Sequence, residues 1–533
     1  MSYARQADAL LRHLEIMPFR GVLDADLCAG VLGEAARFAA GVLDPLGAGL
    51  DRDGARVVDG RVRTAPAHHA AWAQYRDLGW MGMAGDLPLP LLSAVEELFN
   101  RASPAFMMLP TATRTAATLL AEAAPEWQER LLTGEWAATI CISEPDAGSD
   151  VGRIRTHAVR DGDGWRVTGE KCWISFGDHD LAPRIGHMAL ARSRDVAGVR
   201  GLSLFLVPST RADGAANGVV LRRIEEKLGL HGSPTCQIGF EGAEATLIGE
   251  EGRGLQTLFP MMLAMRLSCG PQGTGLAAGA LAMAVGYAQE RKQGGAPDAP
   301  PVPIAAHADV QRQLLAMAAR LETTRALTLT AAAALELGAS DPAWLDLAQV
   351  LLPLVKDAGA WAAFENASGA IQILGGAGFT REWPAERMLR DARVFPLFEG
   401  TSGIQAIDLL YRRLRGPGFA AFLAHVRAEA EGAPALAEAL VSLEAAAQTL
   451  AGSAPRDGEA GAAAFLDLCK LVAQGWMAAR LVRLGGDDDT GKALRAAAGF
   501  ALAELPPRAA GLARLAVLGE GVLAGSQDLA AGY

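Results

Sequence analysis

Between residues 138 and 250 the hydrophobic period of this 533-residue chain changes from helical to alternating, and afterwards it changes back. Residues 165–168 (WRVT), 187–191 (HMALA) and 201–207 (GLSLFLV) alternate or run apolar over strand lengths. Turn signals separate them at 161–164 (DGDG), 213–214 (DG) and 217–218 (NG). Outside that window apolar residues recur at helical spacing, over 24–40, 87–106 and 310–337. In the last of these Arg312, Arg320, Glu322 and Arg325 keep largely to the opposite side. The pattern predicts a mainly helical protein with an all-β insert, a small barrel or sandwich of short strands.

Punctuation divides the chain further. An N-terminal helical region is expected over 1–137, with Pro104, Pro110 and Pro125 at boundaries and a helix end at Gly79. The β region follows over 138–250. A helical bundle is expected over 251–415, where Ser340, Asp341 and Pro342 open a helix that the glycines at 375, 376 and 378 stop. After Gly416-Pro417-Gly418 an alanine-rich helical extension runs over 416–533, with a loop predicted at 452–461 and helices at 462–484 and 490–505.

Half the residues are apolar and a fifth are charged, a globular composition. A net charge of −11 argues against a dedicated nucleic-acid binder, which needs a basic face. The six cysteines are scattered without a CxxC pair, so they read as small buried apolar residues in a reducing compartment, and no metal site follows from them. The first twenty residues, MSYARQADALLRHLEIMPFR, hold acidic residues and no apolar core, unlike a targeting peptide, which makes the cytoplasm the expected location. Residues 267–288 carry no charge and are about long enough to cross a bilayer. Their proline and five glycines fit a buried bundle helix better, and no membrane association is expected.

The residue with the clearest chemical potential is Glu399, at a junction between helices. Val394, Phe395, Leu397 and Phe398 lead into it, and Gly400 follows. A carboxylate in apolar surroundings tends to a raised pKa, which suits a general base near neutrality. Residues 273–279 (GTGLAAG) have one residue too many for a dinucleotide-binding G-x-G-x-x-G and no strand before them.

Five separated stretches share one resemblance: 141–150 (CISEPDAGSD), 170–175 (EKCWIS), 289–293 (QERKQ), 372–378 (QILGGAG) and 398–405 (FEGTSGIQ). In order and spacing they resemble the acyl-CoA dehydrogenase family over roughly residues 70–415. The resemblance implies an N-terminal helical domain, a central β-barrel and a four-helix bundle, with FAD between barrel and bundle and its adenosine end reaching a second subunit. It implies flavin contacts from Ile142, Ser143, Trp173, Ser175 and Thr401. Arg291 matches the arginine that meets the FAD pyrophosphate of the neighbouring subunit. Gln372, Gly375 and Gly376 match the segment near the adenosine end. Ser149, Arg266, Phe398 and Gly400 match substrate-contacting positions.

In that family a carboxylate removes the proton α to the thioester while the β-hydride goes to flavin N5, and Glu399 matches the carboxylate. Some members carry the base at the residue before the arginine matched by Arg266; here that residue is Met265, which cannot take a proton. Leu263 stands where an acid usually accompanies the arginine, Phe398 where a tyrosine often precedes the base, and Gly294 where many relatives have an aromatic residue. Residues 174–192, 201–208, 228–235 and the helical tail resemble the branch that includes 3-methylmercaptopropionyl-CoA dehydrogenase, which implies a short or thioether-containing acyl group, with straight-chain or branched acyl groups as alternatives. His179, His187 and His231 in those stretches read as structural. An electron-transferring flavoprotein is the implied acceptor and a homodimer the favoured assembly. An oxidase using O2 and a DNA-associated alkylation-response flavoprotein are the alternatives within the same fold; the acidic balance disfavours the second.

Overall fold

In the computed structural model of the chain the change of period becomes a β-sheet that helices precede and follow, as the sequence predicts; the structure describes residues 2–19, 23–526, 528 and 529. Met1 and Arg20 of the N-terminal stretch read above, and residues 530–533 of the expected extension, lie outside the described residues. The chain divides into two units. One comprises Met1–Ala39, Pro88–Arg101 and Arg266–Tyr533, the other Ala40–Leu87 and Ala102–Met265.

The second unit holds the strands. A small antiparallel ribbon, β1 (Arg56–Val58) and β2 (Arg61–Arg63), interrupts the expected first helical region. Each strand has three residues, arginines and valines only, too short a run to register against the helices around it. The main sheet contains β3 (Ala137–Cys141), β4 (His157–Asp161), β5 (Gly164–Ser175), β6 (Ile185–Arg192), β7 (Leu202–Pro208), β8 (Val219–Ile224) and β9 (Thr235–Ile248). β6 pairs with β7, β7 with β9, β9 with β5 and β5 with β4, all antiparallel. β4 returns to β6 through His157 and Arg192, so these five strands close on themselves as a barrel. β3 lies parallel to β6, and β8 runs along β9.

β6 and β7 read as nearly continuous apolar runs because both their faces are covered. Met188, Leu190, Leu204 and Leu206 pack with Ala116, Leu131, Leu258 and Met261 from helices. Ala189, Ala191, Phe205 and Val207 face Ile238 and Phe240 across the barrel core.

The first unit is helical. Asp341 caps the Pro342–Leu374 helix by accepting from Ala343 N–H at 2.9 Å, and Gly375, at φ 61°, ends it in the left-handed region as predicted. That helix, continued to Phe379, is long and apolar enough to span a membrane by length and composition, yet its most apolar window is 83% buried within the protein. The glycine-rich stretch 267–288 lies inside the Gly254–Glu290 helix and serves close packing. A Cβ on Gly273 would stand 2.0 Å from the Gly359 carbonyl oxygen, and one on Gly275 would stand 2.5 Å from that of Glu97. These contacts bring three helix backbones together where no side chain fits.

Two expectations for the tail are corrected. The loop predicted over 452–461 is much shorter, because Pro455 opens the Pro455–Leu484 helix; proline is at home in a first turn, where its missing N–H has no partner to lose. The helix predicted over 490–505 extends as Asp489–Ala516 through Pro506 and Pro507. Pro507 is exposed, and so is Ala503, whose carbonyl it leaves unpaired; water can satisfy that group.

A buried charge network ties three helices of this unit, and it corrects the expectation that Glu322 and Arg325 lie opposite the apolar side of their helix, since both are buried. Arg325 (0% exposed) donates from Nε to both oxygens of Glu97 at 3.0 Å and also pairs with Glu322. His13 lies 2.8 Å from Glu322, and Gln6 donates to Glu97 at 2.7 Å. Burial alone raises the Glu322 carboxyl, but Arg325 and His13 more than reverse this and hold it at about 2. A carboxyl held down in this way stabilises the fold above its ordinary range, and that stability is lost as pH falls toward 2. Arg325→Met leaves two buried carboxylates without their cation. It is expected to destabilise the unit by about 3–5 kcal/mol, read as a lowered urea midpoint at neutral pH.

Candidate functional site

Five of the residues marked out by sequence lie in the second unit. The segment after β3 carries Ile142 and Ser143 and is tied to β5 by a hydrogen bond from Cys172 N–H to the Ser143 carbonyl at 3.0 Å. Beneath it lies a buried pair that the sequence reading missed. Lys171 Nζ (0% exposed) donates to Glu144 at 2.8 Å and to the Ile142 carbonyl at 2.9 Å. Glu144 also accepts from the backbone N–H groups of Arg155 and Thr156, at 2.7 and 3.0 Å. Burial raises its carboxyl, but Lys171 and these donors together hold it below the usual range. Both residues sit inside the two motifs already quoted, where an acid and a base facing apolar neighbours was the available signal.

At Cys172 and Trp173 the register of β5 against β9 shifts, a bulge that breaks the alternation of faces. Trp173 takes φ 64° and Phe176 φ 51°, left-handed conformations that cost non-glycine residues energy and cluster at functional sites. The consequence is an indole 63% exposed at the end of a buried strand. The hydroxyls of Ser143 and Ser175 and the Trp173 Nε1 donor make no hydrogen bond with the described residues. A flat aromatic face beside unpaired hydroxyls fits one side of an isoalloxazine, so these residues suit the implied flavin. Ser149 is exposed in the turn that follows.

Cys141 lies 3.8 Å from His187 Nδ1, but burial pushes the thiol up to about 12, the opposite of the lowering that activates a nucleophile. His179 and His187 are fully buried and held down at about 4 by burial. His231 bonds the Asp51 backbone carbonyl at 3.0 Å.

The remaining marked residues lie in the first unit. Phe395 is buried, and chain reversal after it places Glu399 at φ 52° and Gly400 at φ 85°. A Cβ on Gly400 would stand 2.8 Å from Gln405 Nε2, which explains the glycine. Gln405 donates to the carbonyls of Glu399 and Gly400, each at 3.1 Å, and Thr401 caps the next helix by accepting from Ile404 N–H at 3.3 Å. The Glu399 carboxylate and its own backbone N–H make no hydrogen bond with the described residues. Burial raises the carboxyl above its ordinary value, and the nearby cations Arg266 and Lys356 oppose this.

Arg266 pairs with Asp408 at 3.2 Å. The acid expected three residues earlier in sequence, replaced by Leu263, is thus supplied from the Ser402–Asp408 helix, a partner that spacing could not reveal. Lys356 was also missed. It is 0% exposed, and its Nζ has no hydrogen-bond partner. Met265, the other base position, is buried and accepts from the Thr115 hydroxyl at 3.2 Å. Arg291 is exposed just past the Gly254–Glu290 helix, with no ion-pair partner among the described residues. Gln372, Gly375 and Gly376 are exposed, and a Cβ on either glycine would meet nothing within 4 Å. An open glycine surface and an unpaired guanidinium fit a nucleotide and a pyrophosphate.

The family models for the acyl-CoA dehydrogenase middle domain and C-terminal domain match residues 139–243 and 252–414. The chain is 36% identical over 517 residues to the 3-methylmercaptopropionyl-CoA dehydrogenase of Ruegeria pomeroyi, with 88% of this chain and 86% of that protein covered. It is 34% identical to the broad-specificity linear acyl-CoA dehydrogenase FadE5 of Mycobacterium tuberculosis, over 64% of this chain and 61% of that one. Among solved structures, Caenorhabditis elegans ACDH-11 in complex with C11-CoA superposes with a TM-score of 0.82 at 20% identity, covering 99% of this chain and 95% of that chain. An acyl-CoA dehydrogenase from Bacillus anthracis complexed with FAD gives 0.75 at 19%, covering 97% and 92%. These likenesses confirm the fold. With identity this high sustained over nearly the whole of a curated relative, the chain belongs to the acyl-CoA dehydrogenase family.

Proposed function

We propose that the protein is an FAD-dependent dehydrogenase that converts an acyl-CoA thioester to the trans-2-enoyl-CoA, with Glu399 as the base. The observation that carries this reading is the state of Glu399: an unbonded carboxylate, raised by burial, on a left-handed residue with an unused backbone N–H. A proton α to a thioester is weakly acidic, and its removal develops charge on the thioester oxygen. The Glu399 N–H is a donor free to meet that oxygen, and the carboxylate is free to take the proton. A bound flavin would supply the acceptor for the β-hydrogen as hydride, so that the substrate would lose two hydrogens in all. In the apolar lead-in Phe395 is buried, in keeping with a carboxylate withdrawn from water, while Leu397 is exposed.

Ile142, Ser143, Trp173, Ser175 and Thr401 are proposed to hold the flavin ring system. Arg291, Gln372, Gly375 and Gly376 would serve the pyrophosphate and adenosine end, across subunits of a homodimer. Ser149, Arg266, Phe398 and Gly400 would meet the acyl-CoA. The identity to the Ruegeria pomeroyi protein favours 3-(methylthio)propanoyl-CoA or another short to medium acyl-CoA. An electron-transferring flavoprotein is the proposed acceptor, and the cytoplasm the proposed location, in keeping with six buried cysteines.

Anaerobic mixing of the yellow holoenzyme with a panel of acyl-CoA thioesters tests this directly. Bleaching is expected, fastest with short acyl chains, and no bleaching by any thioester would reject the assignment. Slow peroxide release in air is expected; rapid release would mean an oxidase. Glu399→Gln is expected to retain FAD and to lose at least about a hundredfold in the bleaching rate.

The pH dependence has a defined sign. Glu399 must be ionised to act, so the rate falls as pH drops through its raised pKa. Lys356→Met removes a cation that opposes that rise. The acid limb of the bleaching rate against pH is therefore expected to move to higher pH in this variant. An unmoved limb would show that Lys356 has no influence on the base.

A further inference from the structure

We propose that Lys470 is a positioning residue for the base, holding the Glu399 loop from the C-terminal helices through Asp357 and Ser402. Lys470 lies on the Pro455–Leu484 helix, beyond residue 414 where the match to the family's C-terminal domain ends. The inference rests on the assignment of Glu399 as base.

The loop is closed at its far end by Ser402, whose N–H donates to the Pro396 carbonyl at 3.2 Å. The Ser402 hydroxyl donates to Asp357 and accepts from Trp361 Nε1 at 3.3 Å. Asp357 is 1% exposed, so its carboxylate depends on the donors the protein brings to it. One oxygen takes the Ser402 hydroxyl, and the other takes the Lys470 ammonium, itself paired with Asp467 at 2.7 Å. Lys470 is nearly as buried, at 9% exposed.

Left-handed backbone at a non-glycine residue persists only where its surroundings over-determine it. For Glu399 those surroundings are Gln405 on the near side and Ser402 with Asp357 on the far side. Without the ammonium, Asp357 would be a buried carboxylate with a serine hydroxyl alone. It would then turn toward water or take up a proton, and either change loosens Ser402. The carboxylate of Glu399 would still be present but would be displaced from the α-carbon, and such displacement is costly to rate and cheap for binding.

The test compares FAD-loaded wild type, Lys470→Met, Lys470→Arg and the double variant Asp357→Asn/Lys470→Met. Two quantities are read: the limiting rate and half-saturation of anaerobic bleaching by butyryl-CoA, and amide hydrogen exchange over residues 396–404. In Lys470→Met the limiting rate is expected to fall at least about tenfold, half-saturation to stay within about twofold, and exchange over 396–404 to quicken. Lys470→Arg is expected to recover most of the rate. The double variant, with a neutral amide in place of the stranded carboxylate, is expected to fold and to recover part. Unchanged exchange and rate in Lys470→Met would overturn the proposal, as would an equal loss in rate and half-saturation without faster exchange. Should no acyl-CoA of the panel bleach the wild type, the dehydrogenase reading on which this proposal rests fails, and exchange alone then decides whether Lys470 braces the loop.

Discussion

A carboxylate that takes a proton from carbon near neutral pH must be dry enough to be basic and still ionised. Those demands conflict, since the burial that raises a carboxyl pKa also favours the proton-bound form. At Glu399, the proposed base, burial raises the carboxyl pKa and two cations, Arg266 and Lys356, oppose the rise. Arg266 shares Asp408 with Arg412 and Arg413, and Lys356 is fully buried with an unpaired ammonium whose pKa burial lowers. The rest of the first unit reads as support for this arrangement. Glycine contacts let the Gly254–Glu290 and Pro342–Leu374 helices approach closely, and those helices carry Arg266, Lys356 and Asp357.

The second unit solves a different problem, that of presenting a large aromatic surface at the end of a strand whose neighbours are buried. A regular strand would alternate Trp173 with Cys172 and Ile174 in strict register. The bulge and the left-handed φ break that alternation and leave the indole outward. Lys171 and Glu144, buried and mutually bonded, prevent the adjoining Ile142–Ser143 segment from relaxing with it. In both units the strained residue lies beside a buried ion pair, Glu399 near Asp357–Lys470 and Trp173 near Glu144–Lys171. Ion pairs of this kind contribute little net stability and a great deal of geometric definition, because breaking them leaves an isolated buried charge.

The helices after residue 416 pack on the bundle and extend the buried core through Trp476, Phe422 and Leu443. Their contact with Asp357, through Lys470, ties them to the helix that also carries Lys356. An alanine-rich composition gave no hint of this, since Lys470 looks like any solvated lysine on a helix.

Much of the fold was legible because hydrophobic period and turn residues are local properties. The change from period 3.6 to period 2, the cap at Asp341 and the stop at Gly375 depend on neighbours in sequence, and each appears where the pattern puts it. The motifs that carry Trp173 and Glu399 were legible for the same reason. What the sequence left open depends on partners brought together by folding. Asp408 replaces an acid missing beside Arg266, Glu97 and Glu322 meet Arg325, and Lys470 reaches Asp357 from 113 positions away. Pro455 opens a helix where the chain was expected to break, because a proline's meaning depends on which side of it the hydrogen bonds form. The sequence by itself determined most of the elements, the family and the candidate for the base. Only the tertiary structure decided which charges surround that base, since a side chain's electrostatic environment is set by residues remote in sequence and near in space.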